Sequence, residues 1–274
     1  MTHDELLQIR DKWSKRSDKD NSKYNLERLS EQVVSSENIK LNTRPWIFSH
    51  IPKTAGTSLE SYLSQAFALK DQLHVNAPDL NRLPQVLALK NNFPQLIMGH
   101  HPMHGLLYQL LPEQKIVHLS MMREPISRVV SYYNYLATRK YHALHAQVEL
   151  LSFDQFIVQK DLVEINNGQA KRIAGLLHST QEVDDNELYF QAKYAVDHCF
   201  SVIGVTELFK QFHQLIAQTC GVIFHQLPPI NRSKIKVQLT DLSASQRLII
   251  EANNKVDIQL YQYVKSLFLE KANP

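Results

Sequence analysis

A single lysine inside a run of small residues is the strongest candidate for chemistry in this chain of 274 residues. Residues 46–59 read Trp-Ile-Phe-Ser-His-Ile-Pro-Lys-Thr-Ala-Gly-Thr-Ser-Leu, a pattern that predicts an apolar strand, a tight loop and then a helix. Such a loop turns backbone N–H groups inward, the helix dipole points at the same place, and Lys53 adds a full charge. The segment therefore predicts a site for a phosphorylated or sulfated ligand. The structural alternative is a strand–turn–helix connection that binds nothing.

The loop differs from the nucleoside-triphosphatase pattern G-x-x-x-x-G-K-[ST], in which the lysine follows the second glycine. Here Lys53 precedes Gly56, and no glycine comes earlier in the loop. No obvious later strand ends in the aspartate that would hold a metal for phosphoryl transfer from ATP. These features argue against a nucleotide-dependent kinase, which stays as an alternative function.

A second basic residue stands at the end of another apolar stretch. Residues 115–122 predict a strand, and residues 123–135 follow it as Arg-Glu-Pro-Ile-Ser-Arg-Val-Val-Ser-Tyr-Tyr-Asn-Tyr. Pro125 suits the first position of a helix, and the apolar residues after it repeat at helical spacing. Arg123 would then lie at the carboxyl end of a strand, with Ser131 about two turns into the helix. Open α/β sheets bind ligands at such strand ends, so Arg123 and Ser131 are candidates for a second phosphate.

Together these two segments resemble the sulfotransferases that use 3′-phosphoadenosine 5′-phosphosulfate (PAPS), in particular the bacterial carbohydrate and heparan sulfate 2-O-sulfotransferases. In that family a His-x-Pro-Lys-Thr-Ala/Gly-Gly-Thr-Ser loop binds the 5′-phosphosulfate, and an Arg-Asp/Glu-Pro-x-x-Arg-x-x-Ser-x-Tyr segment binds the 3′-phosphate. Both patterns occur here without gaps. The resemblance implies that PAPS is the cosubstrate and that it is held by Lys53, Thr54, Ala55, Gly56, Thr57, Ser58, Arg123 and Ser131.

Further segments follow in the order that the family requires. Residues 167–175 are similar to Asn-x-Gln-Thr-Arg-x-Leu-x-Gly, with Lys171 at the arginine position. Residues 200–207 resemble a strand written Val-Gly-Leu-Thr-Glu, and residues 257–261 resemble the Asp-x-x-Leu-Tyr of a closing helix. Residues 231–234 resemble a C-terminal cofactor loop. The likeness covers residues 44–270 and adds four residues to the predicted PAPS site: Lys171, Arg232, Ser233 and Lys234.

Three histidines near a strand end supply candidates for a general base. Residues 95–104 read Gln-Leu-Ile-Met-Gly-His-His-Pro-Met-His. A metal site is not predicted, because His100 and His101 would point to opposite sides of a continuing strand and no nearby Cys or carboxylate completes a tetrahedral set. Resemblance to the 2-O-sulfotransferases implies that His100 is the base. Their second histidine is replaced by Met98, so His101, His104 or a purely structural His100 remain alternatives.

The alternation of strands and helices from residue 45 onward predicts one α/β domain over 45–274. The resemblance implies a three-layer sandwich with a mainly parallel central sheet, similar to the P-loop-containing nucleotide hydrolases. Residues 1–44 predict a polar helical arm, with Leu6, Ile9 and Trp13 on one face. It would be a docked helix, an oligomer contact or a membrane-surface helix.

Composition excludes other classes. The formal net charge is +3, and no basic run with aromatic residues predicts a nucleic-acid site. No apolar window is long enough for a membrane span, and no signal peptide is evident. We expect a cytoplasmic, bacterial enzyme, in which Cys199 and Cys220 are buried thiols rather than a disulfide or metal pair.

The predicted reaction moves a sulfuryl group from PAPS to a hydroxyl of an acceptor, a saccharide or glycoconjugate. Lys53 would act as the electrostatic catalyst and His100 as the base, without a metal. Residues 69–83 and 139–152 are the candidate acceptor loops. A non-catalytic PAPS-binding module is the other alternative besides a kinase.

Overall fold

The fold is taken from a computed structural model. It describes residues 26–36, 39, 45–76, 79, 82–88, 93–101, 103, 105–111, 115–177, 182–220 and 236–272. Four predicted site residues lie outside the described residues, together with most of the predicted N-terminal arm: His104, Arg232, Ser233 and Lys234.

Five parallel strands form the central sheet of the described chain, in the order β2-β3-β1-β4-β5. Their bounds are β1 Trp46–Ser49, β2 Gln72–His74, β3 Leu96–Gly99, β4 Val117–Met122 and β5 Val202–Val205. In the register, Ser49 pairs with Gly99 on one side and with Ser120 on the other. Four of these strands are buried along their whole length, which explains why they read as continuous apolar runs in the sequence.

Helices cover both faces of this sheet. Their bounds are α1 Gly56–Leu63, α2 Leu83–Ala88, α3 Leu106–Gln109, α4 Pro125–Leu136, α5 His145–Val148, α6 Phe153–Ile157, α7 Gly168–Ile173, α8 Asp185–His198, α9 Phe209–Cys220, α10 Ala244–Asn253 and α11 Lys255–Ala272. Alternate strand residues face opposite layers: Ile47 packs with residues of α8 and α11, and Phe48 packs with residues of α1 and α9. The three-layer α/β fold with a parallel central sheet is thus confirmed.

The topology brings two loops together at the middle of the sheet. The connection after β1 leads to β2 on one side, whereas the connection after the neighbouring β4 leads to β5 on the other. At such a switch point the two loops diverge and leave a crevice at the carboxyl ends of the strands. The loops at this crevice contain Lys53 and Arg123, the two cations that the sequence singles out.

The described end of the predicted N-terminal arm lies against the domain. Residues 26–32 are helical, Leu26 and Leu29 are buried in the core, and Val33 forms a parallel bridge with Ile116. Among the described helices, none combines the length and apolar character that a membrane span requires. Cys199 is a free, buried thiol.

Candidate functional site

The loop after β1 has an unusual backbone conformation. Lys53 has φ 71° and Ala55 has φ 62°, both in the left-handed region that non-glycine residues seldom enter. Helix α1 then begins at Gly56, and no described side chain caps it. Because the first N–H groups of a helix have no intrahelical acceptor, the loop and helix end together offer donors to an anion.

Hydroxyl groups of this loop differ in their roles. Thr54 is fully buried, and its Oγ1 donates to the Ile51 carbonyl at 2.8 Å. Its side chain therefore shapes the loop, and its contribution to a ligand would come from the backbone N–H. Thr57 is exposed and Ser58 is half-buried on the first turn of α1, so both hydroxyls remain accessible from solvent.

Two arginines hold the loop from the second strand–helix junction. Arg128 Nε donates to the Pro52 carbonyl at 3.1 Å, and Arg123 Nη1 donates to the Lys53 carbonyl at 3.2 Å. The two junctions are thereby joined at the crevice, and the guanidinium of Arg123 lies against the loop that contains Lys53.

Lys53 lies in a cluster of positive charge. Its Nζ is 4.3 Å from the centroid of the Tyr135 ring, and the Arg139 guanidinium is 5.8 Å from the same centroid. Burial, together with the charges of Arg123 and Arg139, lowers the pKa of Lys53 to about 8. An anion placed among these cations would favour the charged lysine and raise that pKa again. The site is thus electrostatically suited to a multiply charged anion.

A buried amide fixes the backbone of Arg123. Gln169 Nε2 donates to the Arg123 carbonyl at 2.9 Å, and Gln169 Oε1 accepts from the Arg123 N–H at 2.9 Å. Asp257 in turn accepts from the backbone of Gln169 at 3.1 Å and of Ala170 at 2.7 Å. The segments 167–175 and 257–261 therefore meet at Arg123, although they are far apart in sequence.

The segment after β5 holds the same junction. Glu207 accepts from the Glu124 N–H at 3.2 Å and from the Tyr261 hydroxyl at 3.1 Å. Ser131 is half-buried one helical turn before Tyr135, the residue that Lys53 contacts. Both predicted phosphate ligands of the second segment, Arg123 and Ser131, thus lie on the part of the fold next to Lys53.

His100 follows β3, the strand on the other side of β1. Its Nδ1 lies 2.8 Å from the His50 carbonyl oxygen. Because a carbonyl oxygen accepts hydrogen bonds and cannot donate them, Nδ1 carries the proton and Nε2 keeps its lone pair. Burial, followed by the charge of His50, lowers the pKa of His100 to about 4. The imidazole is therefore neutral at pH 7 and able to take a proton at Nε2.

Two residues that the sequence did not single out support His100. The ring of His50 lies 4.0 Å from that of His100, and His50 Nδ1 is 2.9 Å from Glu60 Oε1. Burial would raise the pKa of Glu60, but hydrogen bonds from His50 and His74 lower it to about 2. Glu60 is the one charged residue of α1 and sits beside its apolar face, a pattern that could have indicated a paired carboxylate.

Gly56 is required by this arrangement. A Cβ added there would lie 2.1 Å from the His50 ring, closer than any side chain allows. His50 therefore lies between the first residue of α1 and His100, and it links the candidate anion loop, residues 52–58, to the candidate base.

The other histidines of the triplet are placed differently. His101 is 1% exposed and lies edge-on to Tyr108, with 5.7 Å between the ring centroids. His104 lies outside the described residues. Met98, at the position of the family's second histidine, is buried in the core layer next to α1. Of the described histidines in this triplet, His100 thus stays the candidate base, at the carboxyl end of the strand that pairs with β1.

Lys171 is not placed next to Arg123 by any contact of the described chain. Burial lowers the pKa of Lys171, whereas the charges of Asp257 and Asp185 raise it. Within the described ranges, no three His, Cys, Asp or Glu side chains come together as a metal site would require.

Comparison with known proteins finds a distant relative of this chain. The chain is 24% identical over 226 residues to a protein of Drosophila melanogaster described as Heparin sulfate O-sulfotransferase. The match covers 74% of this chain and 64% of the relative's length. No protein-family model matches the chain. The similarity supports a sulfotransferase family, consistent with the α/β fold.

Proposed function

We propose that this protein is a PAPS-dependent sulfotransferase that modifies a hydroxyl group of a saccharide. The observation that carries the proposal is the placement of three groups at adjacent strand ends. Lys53 on its left-handed loop and Arg123 would provide two anion-binding positions, and His100 would provide a lone pair at the end of the neighbouring strand β3. The name of the Drosophila relative, Heparin sulfate O-sulfotransferase, supports a saccharide as acceptor.

In the proposed step, the acceptor oxygen attacks sulfur in line with the bridging phosphate oxygen. A new S–O bond forms as the old one breaks, and 3′-phosphoadenosine 5′-phosphate (PAP) leaves with the electron pair. The acceptor proton moves to His100 Nε2. Lys53 and the N–H groups at the start of α1 stabilise the charge that grows on the leaving phosphate.

Arg123 and Ser131 would bind the 3′-phosphate, which ATP lacks. The donors of residues 53–58 would bind the 5′-phosphosulfate, and Arg232, Ser233 and Lys234 stay as predicted contributors to the PAPS site. This division of roles predicts that the protein binds PAP in preference to ATP.

Calorimetric titration of the full chain tests that preference, with PAP as ligand and ATP–Mg²⁺ as the control. We expect tight binding of PAP and a much weaker response to ATP. Preference for ATP would favour the kinase, and binding of neither nucleotide would overturn the proposal.

The proposed base is tested by His100→Gln, with the exposed His198→Gln on α8 as the matched control. Loss of a general base lowers turnover by about 10²–10⁴-fold. We expect that loss in transfer from labelled PAPS to a panel of saccharides, with PAP affinity unchanged. PAP binding by a wild-type protein that modifies no acceptor would favour the non-catalytic module.

A further inference from the structure

Helix α7 carries two adjacent cations that face different surroundings. Within the described chain, the Lys171 side chain makes no hydrogen bond or ion pair to Glu164, and the nearest acidic charges that act on it are those of Asp257 and Asp185. Arg172 instead turns toward Glu164: its Nε donates to Glu164 Oε1 at 2.8 Å, and its Nη2 contacts the same oxygen. The family resemblance assigns the basic role in this segment to position 171, but the described contacts give position 172 the link to the site.

Glu164 connects Arg172 to the anion loop. Its Oε2 forms an ion pair with Arg128 Nη2, and its carbonyl accepts from Arg128 Nη1 at 2.6 Å. Arg128, which is 1% exposed, donates through Nε to the Pro52 carbonyl at 3.1 Å. A continuous set of charged hydrogen bonds thus runs from α7 to the residue before Lys53.

Close packing and an excess of positive charge both affect the ion pairs of Glu164. A Cβ at Gly168 would lie 3.3 Å from both Arg128 Nη1 and Glu164 Oε2, so the glycine leaves room for the ion pairs. One carboxylate between two guanidinium groups leaves an excess positive charge in a poorly hydrated region. Such a charge is stabilised when an anion binds nearby.

We propose that Arg172, and not Lys171, is the cation of residues 167–175 that serves the reaction centre, as a positioning residue acting through Glu164 and Arg128 on the Pro52–Lys53 loop. The inference rests on the proposed sulfuryl transfer. Without Arg172, only Arg128 holds the Glu164 carboxylate, which can then rotate. The Arg128 guanidinium is less firmly fixed as a result, and so are the Pro52 carbonyl that it bonds and the lysine that follows.

The charge of Arg172 also acts on the candidate base. The groups that act on His100 are His50 and Glu60, which belong to the anion-loop side, and Arg172 from α7. Burial and then His50 lower the pKa of His100, Arg172 lowers it further, and Glu60 raises it. Removing the positive charge at position 172 should therefore raise the pKa of His100, whereas removing the charge at 171 should not.

The experiment compares Arg172→Gln, Arg172→Lys and Lys171→Gln in the full chain. The first readout is the titration of the His100 ring by NMR, which needs neither donor nor acceptor. We expect a higher pKa in Arg172→Gln and the wild-type value in Arg172→Lys and Lys171→Gln. The second readout is turnover: a misplaced reacting group costs up to about 10²-fold in rate, so kcat should fall about 10–100-fold in Arg172→Gln.

Arg172→Lys keeps the charge but loses one of two hydrogen bonds to Glu164, and we expect a smaller fall in kcat, with PAP affinity near wild type. A fall in kcat for Lys171→Gln equal to that of the Arg172 variants would overturn the inference, even if Arg172→Gln did not fold. Unchanged His100 titration in a folded Arg172→Gln would overturn it as well. Failure of the wild-type protein to bind PAP would instead overturn the proposed function, and the His100 titration would still report where Arg172 acts.

Discussion

Two strand–helix junctions meet at the centre of this sheet, and they treat their helix ends in opposite ways. At the β1–α1 junction, Ala55 takes a left-handed conformation and provides no side-chain cap. At the β4–α4 junction, the Glu124 carboxylate accepts from the N–H groups of Ile126 at 3.0 Å and Ser127 at 2.7 Å. Pro125 occupies the first helical position, where no N–H is needed.

The difference separates two ways of binding an anion. The open end of α1 leaves its own N–H groups for a ligand, next to Lys53, where charge would develop during transfer. The end of α4 is filled by a carboxylate of the chain, so an anion at that junction depends on the Arg123 side chain. We infer that the first junction carries the chemistry and that the second carries the selectivity for the donor.

The largest expected effect is a loss of turnover at the β1–α1 junction, whose helix end is capped by no described side chain. Lys53→Ala removes the charge that stabilises the leaving phosphate, and loss of one such group costs about 10²–10³-fold in turnover. PAP affinity should change far less. Single-turnover transfer and calorimetry measure the two quantities, with the exposed Lys210→Ala on α9 as the control. Similar losses in rate and affinity would contradict the division between the junctions.

At the β4–α4 junction, where Glu124 caps the helix, we expect PAP affinity to fall more than turnover. Arg123→Ala should weaken PAP binding by about 10–100-fold, because an ionic hydrogen bond to phosphate contributes about 1.5–3 kcal/mol. Saturating PAPS should restore most of the turnover. Competition between PAP and adenosine 5′-phosphate tests whether Arg123 binds the 3′-phosphate. The preference for PAP should fall in Arg123→Ala and stay unchanged in the control Arg247→Ala on α10.

A pH titration sharpens the contrast further. In the free protein the pKa of Lys53 is about 8, and a bound anion raises it, so binding above pH 8 requires uptake of a proton. PAP affinity should therefore begin to fall as the pH approaches 8, and the total fall should not exceed the small loss of affinity expected for Lys53→Ala, because both changes remove the same charge. Lys53→Arg should remove this fall, because guanidinium keeps its proton in this range. An equal decline in both proteins would assign the titration to another group.

The smallest effect is expected for the cap. Glu124→Ala should lower the free energy of unfolding by about 1 kcal/mol, as loss of an N-cap does, and denaturant titration measures it. Since this carboxylate serves the helix and not the ligand, PAP affinity should change less than about threefold. A large loss of PAP affinity at unchanged stability would show that the second junction also binds anions through its helix end.

Local sequence was enough for β1, β3 and β4 and for the residues at their ends. Each of these apolar runs was predicted as a strand, with Arg123 and His100 at strand ends, because these features depend on neighbours within a few positions. Pro125 likewise indicated the start of α4. The strand β5 was expected from the family resemblance, and β2 lies inside the expected acceptor loop 69–83. The assignment of site roles to Lys53, Arg123 and His100 stays a prediction.

What the sequence could not give was the pairing of charges across the fold. Arg128 and Glu164 are 36 positions apart, and Gln169 and Asp257 are 88 apart. No local period links such residues, and an arginine next to a lysine at 171–172 gives no sign of which one pairs with Glu164. Only the folded chain shows that Arg172 is the partner of this carboxylate.

The sequence by itself determined the strand–loop–helix units and the charged or basic residues that they carry, since local sterics and hydrophobic periodicity act over short distances. The tertiary structure alone decided that His50 and Glu60 support His100, that Arg128 and Arg172 share Glu164, and that the end of α1 stays open. These outcomes depend on strand order and on burial, because a charge removed from water is stable only where its partner is brought to it.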